Sequence, residues 1–128
     1  MIFDPIKFLD LATKLLYDIN YDEDARYRTC ISRAYYAVHL FTKNKLKDIG
    51  VIIKIEKDER KGAIHDKVID GLKMKNGNLG DMLSKLRDKR GDADYTLNVK
   101  FSGYGVGLDI ANAEYIIDEV GKLKKLKK

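Results

Sequence analysis

Apolar residues recur at three- and four-residue intervals in several stretches of the chain, the spacing that places them on one face of an α-helix. The first stretch begins at Asp4-Pro5, an acidic cap followed by a proline that suits the first helical turn. Asn20 is expected to end it. The apolar face of this predicted amphipathic helix consists of Phe8, Leu9, Ala12, Leu15, Leu16 and Ile19.

A second helix is predicted from residues 22–24 to about Lys45. Acidic residues at its start lie near the positive end of the helix dipole, which they stabilise. Its two occupied faces carry Tyr27, Ile31, Ala34, Val38 and Phe41 on one side and Arg26, Thr29, Arg33, Tyr36 and Leu40 on the other. A helix with two such faces is expected to lie at the centre of a bundle.

The middle of the chain is predicted to contain a connection and a short helix. Gly50 and the charged residues 54–61 indicate the connection. The apolar run 51–53 is interpreted as a loop or helix end that packs on the core, because no partner strand is predicted. The short helix is expected from about Ala63 to Leu72, with a break at residues 76–78.

Two further helices are predicted in the last third of the chain. Asp81 is expected to cap one of them, and Asp109 is expected to begin the other after an irregular, glycine-rich stretch at residues 98–107. Taken together, the elements predict an all-α fold, an up-and-down four-helix bundle with a short extra helix.

Size and composition predict one folded domain that spans residues 1–128. Hydrophobic residues make up 45% of the chain and charged residues 35%, which is typical of globular proteins. No apolar run approaches the roughly 20 residues of a membrane span, and no signal-peptide pattern is present. A cytoplasmic location without membrane association is expected. Cys30 lies in an apolar helical pattern and is predicted to be a core residue.

The net charge of +5 arises at one end of the chain. The basic C-terminal tail, residues 122–128, contains five lysines, and the remaining body is formally neutral. Such a tail binds polyanions weakly or only solubilises a helix end. His39 and His65 are far apart in the sequence, and no spaced cysteine or carboxylate accompanies them. No metal site and no cofactor is therefore predicted.

Arg90 occupies a position where the helical pattern favours an apolar residue. Leu86 and Ala93 lie on the same stripe, and Arg87 and Asp94 lie about one turn away. A guanidinium in such a place requires a carboxylate, a ligand or a partner, because an unpaired buried charge is costly. Arg90 and Asp94 therefore form either an internal brace or part of a functional site.

A second polar group lies on the predicted central helix, where Ser32-Arg33-Ala34-Tyr35-Tyr36 is followed by His39. His65 opens the short helix. Arginine forks and tyrosine hydroxyls are good contacts for phosphates and bases, so Arg33, Tyr36 and His65 are candidate RNA- or nucleotide-binding residues. The alternative is ordinary packing with satisfied hydroxyl groups, and a cap or surface position for His65.

The ordered set of these motifs resembles a prokaryotic branch of the HEPN family. The resemblance spans roughly residues 5–125. It rests on Ser32-Arg33-Ala34-Tyr35-Tyr36-Ala37, on His65, and on Leu86-Arg87-x-x-Arg90-x-x-Ala93-Asp94-Tyr95. It implies a HEPN-like helical bundle that forms a homodimer, with the arginine-bearing helices of two subunits facing a shared cleft.

The resemblance also implies a class of function. Many HEPN proteins are metal-independent ribonucleases whose motif arginine is followed four to six residues later by histidine. Others are non-catalytic partners of minimal nucleotidyltransferases in toxin–antitoxin pairs. Arg90 is the arginine that carries over, but Asp94 and Tyr95 stand where histidine is expected, and Gly91 replaces a polar residue. Histidine is the side chain best suited to proton transfer near neutrality.

Two functional hypotheses follow from these residues. The first is an HEPN-type RNA-associated module, at most a toxin-type ribonuclease with a degenerate active site. In it, Arg87, Arg90 and Tyr95 hold the scissile phosphate and Asp94 orients an arginine. The second is a non-catalytic module that binds a nucleotide or pairs with a nucleotidyltransferase antitoxin. A purely structural dimer, with Arg90–Asp94 as a brace, is the remaining alternative.

Overall fold

The computed structural model describes residues 2–51 and 60–125 of the chain. Within those residues it contains no strand and five helices: α1 (Ile6–Leu15), α2 (Glu23–Asp48), α3 (Lys61–Lys75), α4 (Gly77–Tyr95) and α5 (Gly103–Gly121). The prediction of an all-α fold is confirmed. None of these five helices has the length and apolar character needed to cross a membrane.

The first two helices begin close to the residues that the sequence predicts. The Asp4 carboxylate accepts a hydrogen bond from the Ile6 amide at 3.0 Å, and the Asp22 carboxylate accepts one from the Ala25 amide at 2.9 Å. Such bonds satisfy amide groups that have no partner inside the helix. α1 ends at Leu15 rather than near Asn20.

The end of α2 lies beyond the predicted Lys45 and has a clear local cause. Gly50 adopts a φ of +82°, in the left-handed region that favours glycine. The amide of Val51 donates to the carbonyl of Leu46 at 2.8 Å, which completes a Schellman motif. Val51 itself is buried, whereas residues 52–59 and the tail residues 126–128 lie outside the described residues.

α2 is the central helix, as its two occupied faces predicted. It packs against each of the other four helices. Its buried residues are Cys30, Ile31, Ser32, Ala34, Tyr35, Ala37, Val38, His39, Thr42 and Leu46. Cys30 is fully buried, and burial raises the pKa of its thiol to about 11. It is therefore a core residue rather than a nucleophile.

Two predicted boundaries in the middle of the chain are wrong. α3 is longer than the predicted helix at residues 63–72, and only Asn76 separates it from α4. The Asn76 amide donates to the carbonyl of Leu72, while its side chain accepts from the amide of Leu79 at 3.1 Å. One residue therefore closes α3 and caps α4, and Asp81 lies inside α4 instead of capping it.

The start of the last helix also differs from the prediction. α5 begins at Gly103, so the glycine-rich stretch that was expected to be irregular forms its first turns. The hydroxyl of Ser102 caps it by accepting from the amide of Gly105 at 3.0 Å. Asp109 lies within α5 and is buried, and the ammonium of Lys89 on α4 donates to its carboxylate at 2.7 Å. The pair therefore joins α4 to α5.

Two arginines near the start of α2 hold the carboxyl ends of neighbouring helices. Arg26 donates to the carbonyl groups of Leu16, Asp18 and Tyr21, which follow α1. Arg28 donates to five carbonyl groups at and beyond the end of α4, those of Asp92, Ala93, Thr96, Leu97 and Val99. The last carbonyls of a helix lack partners within it, so each guanidinium fixes the path of the chain there.

Substituting alanine at two glycines of α4 is expected to change the free energy of unfolding in opposite directions. A Cβ on Gly80 would lie 2.9 Å from the backbone nitrogen of Lys73, whereas a Cβ on Gly91 would meet nothing within 4 Å. We expect Gly80→Ala to lower the free energy of unfolding by about 1–3 kcal/mol, because α3 and α4 must separate. Gly91→Ala should raise it by about 0.5–1 kcal/mol. Urea denaturation measures both free energies of unfolding. A Gly80→Ala protein with native stability would contradict the close approach of α4 to α3 at Gly80.

Candidate functional site

Arg90 lies on the face of α4 that packs against α2. Its side chain is 13% exposed, and its Nη1 lies 3.6 Å from Oδ2 of Asp94. Its Cζ lies 5.4 Å and 5.5 Å from the ring centroids of Tyr35 and Tyr36. The ring of Tyr95 is 5.8 Å away. An ion pair with Asp94 is therefore present, and three aromatic rings surround the guanidinium.

The guanidinium of Arg90 is incompletely satisfied. Its Nε is buried and has no hydrogen-bond partner among the described residues. The 3.6 Å separation from Asp94 is longer than a charge-assisted hydrogen bond. A guanidinium carries five N–H donors, and burying such donors without acceptors is costly. Arg90 therefore lacks a charge-assisted hydrogen bond within the described residues, which makes it a candidate contact for an anionic ligand.

Asp94 connects α4 to the polar motif on α2. The hydroxyl of Ser32 donates to Oδ2 of Asp94 at 3.3 Å, and Nη2 of Arg33 donates to the Ser32 hydroxyl at 3.3 Å. The Cζ of Arg33 lies 5.1 Å from the ring centroid of Tyr36. A cleft of about 470 Å³ opens here between α2 and α4, partly lined by Ser32, Arg33 and Asp94. The fold thus brings Arg33, Tyr36, Arg90 and Asp94 together.

Arg87 and Tyr95 lie at the margins of this site. Nη1 of Arg87 pairs with the carboxylate of Asp66 on α3 at 2.5 Å, and Nη2 donates to the carbonyl of Gly62 at 3.3 Å. The two arginines of the motif therefore have different neighbours, α3 for Arg87 and α2 for Arg90. Tyr95 ends α4 and is 74% exposed.

A buried histidine pair near Arg90 was missed by the sequence reasoning. His39 of α2 and His65 of α3 stack with their ring centroids 4.0 Å apart. The Tyr35 hydroxyl is hydrogen-bonded to Nδ1 of His65, while Nδ1 of His39 has no partner within the described residues. The sequence signal was the spacing of Tyr35 and His39, four residues apart on the buried side of α2. No local pattern indicated that His65 joins them.

Burial keeps both imidazoles neutral. Burial is the main cause that lowers the pKa of His39 to about 3, and the neighbouring His65 adds to it. Burial likewise lowers the pKa of His65 to about 4, with further contributions from Arg87 and Arg90. Burial also raises the pKa of the Tyr35 hydroxyl. Proton transfer near neutrality requires a pKa close to 7, so neither histidine is suited to it here.

Within residues 2–51 and 60–125, no three His, Cys, Asp or Glu side chains are grouped so that they could hold a metal ion.

Comparison of the chain with protein-family models, with curated proteins and with solved structures finds no match. The chemistry of the site therefore rests on its own geometry. It consists of a cation among aromatic rings, a carboxylate beside it and an adjoining cleft.

The neutral histidine pair predicts that acid destabilises the fold. In the unfolded chain both histidines have a pKa of about 6.5, so below that pH the unfolded state binds protons that the folded state excludes. The stability that depends on the neutral histidines is therefore fully present above about pH 6.5, and it is lost as the pH falls toward about 4 for His65 and about 3 for His39. The slope reaches ~1.4 kcal/mol per pH unit for each histidine. Urea denaturation at a series of pH values measures it.

The variant His39→Phe distinguishes the contribution of the histidines to this pH dependence from that of carboxylates, which also titrate in acid. Phenylalanine keeps a ring in the stack and removes the titrating nitrogens. We expect the slope of unfolding free energy against pH to fall by ~1.4 kcal/mol per pH unit in the variant. An unchanged slope would mean that His39 is protonated in the folded protein at the same pH as in the unfolded chain.

Proposed function

We propose that this chain is an HEPN-type RNA-associated module that binds RNA phosphate at Arg90. The observation that carries the proposal is a nearly buried guanidinium among three aromatic rings, whose carboxylate partner in the described residues lies 3.6 Å away. Arginine forks bind phosphate oxygens through charge-assisted hydrogen bonds, and the exposed ring of Tyr95 is available to stack a base. The all-helical architecture, with the motifs on α2 and α4 in contact, supports a HEPN-like up-and-down bundle.

We further propose that cleavage of RNA at this site is weak or absent. Metal-independent cleavage requires groups that take up and release protons near neutrality. Asp94 and Tyr95 occupy the positions where HEPN ribonucleases carry histidine. His39 and His65 are buried and have pKa values lowered to about 3 and about 4. Arg90 thus supplies a cation without a histidine that can act as its proton-transfer partner.

A second candidate is a non-catalytic module that pairs with a nucleotidyltransferase antitoxin. The exposed side chains of Tyr95 and Leu97, 74% and 88% accessible, favour it. Aromatic residues are enriched at protein interfaces. The homodimer that the resemblance implies would use the same end of α4. In this case the double variant Tyr95→Ala, Leu97→Ala abolishes copurification with the partner.

RNA binding by the purified protein tests the proposed function. Arg90→Ala is compared with Lys85→Ala, which removes the same charge from the same helix on its side toward α5. We expect Arg90→Ala to weaken binding about ten- to a hundredfold, as for the loss of a charged hydrogen bond. Lys85→Ala should have a much smaller effect. Fluorescence anisotropy with labelled RNA at one fixed salt concentration measures both.

Urea denaturation and an EDTA assay distinguish the alternatives. Unchanged RNA affinity in a folded Arg90→Ala protein would contradict the proposal. A loss of several kcal/mol of stability in that variant would identify Arg90–Asp94 as a structural brace. In EDTA we expect little or no cleavage of an RNA pool. Efficient cleavage that Arg90→Ala abolishes would instead establish a metal-independent ribonuclease.

A further inference from the structure

Aromatic and arginine side chains form one continuous row that runs from the segment before α1, across α2, to the end of α4. The rings of Phe3 and Phe8 are 4.7 Å apart, and Cζ of Arg33 lies 4.8 Å from the Phe8 ring. Arg33 and Arg90 both contact the ring of Tyr36, at 5.1 Å and 5.5 Å. We call this row the aromatic–arginine ladder: Phe3, Phe8, Arg33, Tyr36, Arg90 and Tyr95.

The ladder reaches solvent at both ends, and its cations are weakly satisfied. Phe3 is 50% exposed and Tyr95 is 74% exposed. Within the described residues Arg33 has no carboxylate partner, since its guanidinium donates to a serine hydroxyl instead. The carboxylate partner of Arg90 lies beyond hydrogen-bonding distance. The ladder therefore offers two accessible rings and two guanidinium groups with unused donors.

We propose that the ladder is a binding track for unpaired nucleotides of RNA. Arg33 binds the phosphate next to the one held by Arg90, and Phe3 stacks a base at the far end, supported by Phe8. The inference rests on the proposed function of Arg90 and extends it to a subsite before and within α1. Phe3 and Phe8 lie outside the motifs on α2 and α4.

The chemistry of the ladder favours a single strand over a duplex or a protein segment. A single strand repeats phosphate and base, and the ladder repeats guanidinium and ring. In an A-form duplex the bases stack on one another and are not available to the rings. Arg33 and Arg90 contact the same ring, Tyr36, so they are placed to bind neighbouring phosphates of one strand. Within the described residues neither guanidinium donates a hydrogen bond to a carboxylate, which favours a polyanion over an apolar peptide.

Anisotropy measurements with a short labelled oligouridine, alone or annealed to its complement, test the proposal. We expect the native protein to bind the single strand more tightly than the duplex. Phe3→Ala should weaken binding of the single strand about fivefold or more and leave duplex binding unchanged. Phe3→Trp, which keeps a stacking ring, should restore it. Tyr17→Ala removes an exposed ring outside the ladder, 77% accessible, and should change neither.

Arg33→Gln tests the cation of the new subsite. We expect the slope of log Kd against log salt concentration for the single strand to decrease by about 0.7, the share of one phosphate contact. Lys14→Gln removes an exposed charge elsewhere on α1 and serves as the matched control. Its salt slope should equal that of the native protein.

The outcomes separate this inference from the proposed function. If Phe3→Ala and Arg33→Gln keep the native RNA affinity and only Arg90→Ala loses it, the ladder is not a binding track. The proposed function of Arg90 would then still stand. No RNA binding by the native protein would overturn both. If Phe3→Ala changes the oligomeric state in light scattering without changing RNA affinity, the ladder is an interface between protein subunits and the proposal is overturned.

Discussion

The arrangement of the site depends on the hydrogen bonds that Arg28 donates from α2 to the carbonyl end of α4. These bonds replace the partners that the last turn of any helix lacks. They also fix the turn of α4 that carries Arg90 and Asp94 against the part of α2 that carries Tyr36 and Ser32. Because α2 also packs on the other helices, the same contact ties the site to the whole core.

The helical class and the central place of α2 could be predicted because both follow from the period of apolar residues along the chain. The boundaries could not, since several residues near each one are competent caps. Asn76 and Asp81 are both good cap residues, and only the hydrogen bond to Leu79 shows which of them begins α4. The glycines at the start of α5 suggested irregular structure. Burial of Val106, 1% exposed, outweighs their low helix propensity.

The candidate site was predictable only where its residues are neighbours along one helix. The spacing of Arg90 and Asp94 indicated their ion pair, which is present. The hydrogen bond from Ser32 to Asp94 joins residues 62 positions apart, so no local pattern could predict it. The same holds for the stack of His39 on His65, whose sequence separation suggested that they were unrelated. Tertiary packing, rather than any motif, creates the polar centre of this fold.

Asn76 alone connects α3 to α4. The Arg87–Asp66 ion pair joins the same two helices further along their length. α3, which carries His65, and α4, which carries Arg90, are therefore joined both at their connection and by a side-chain pair. Because both helices also pack on α2, the cation at the surface and the imidazoles in the interior belong to one packed unit of three helices.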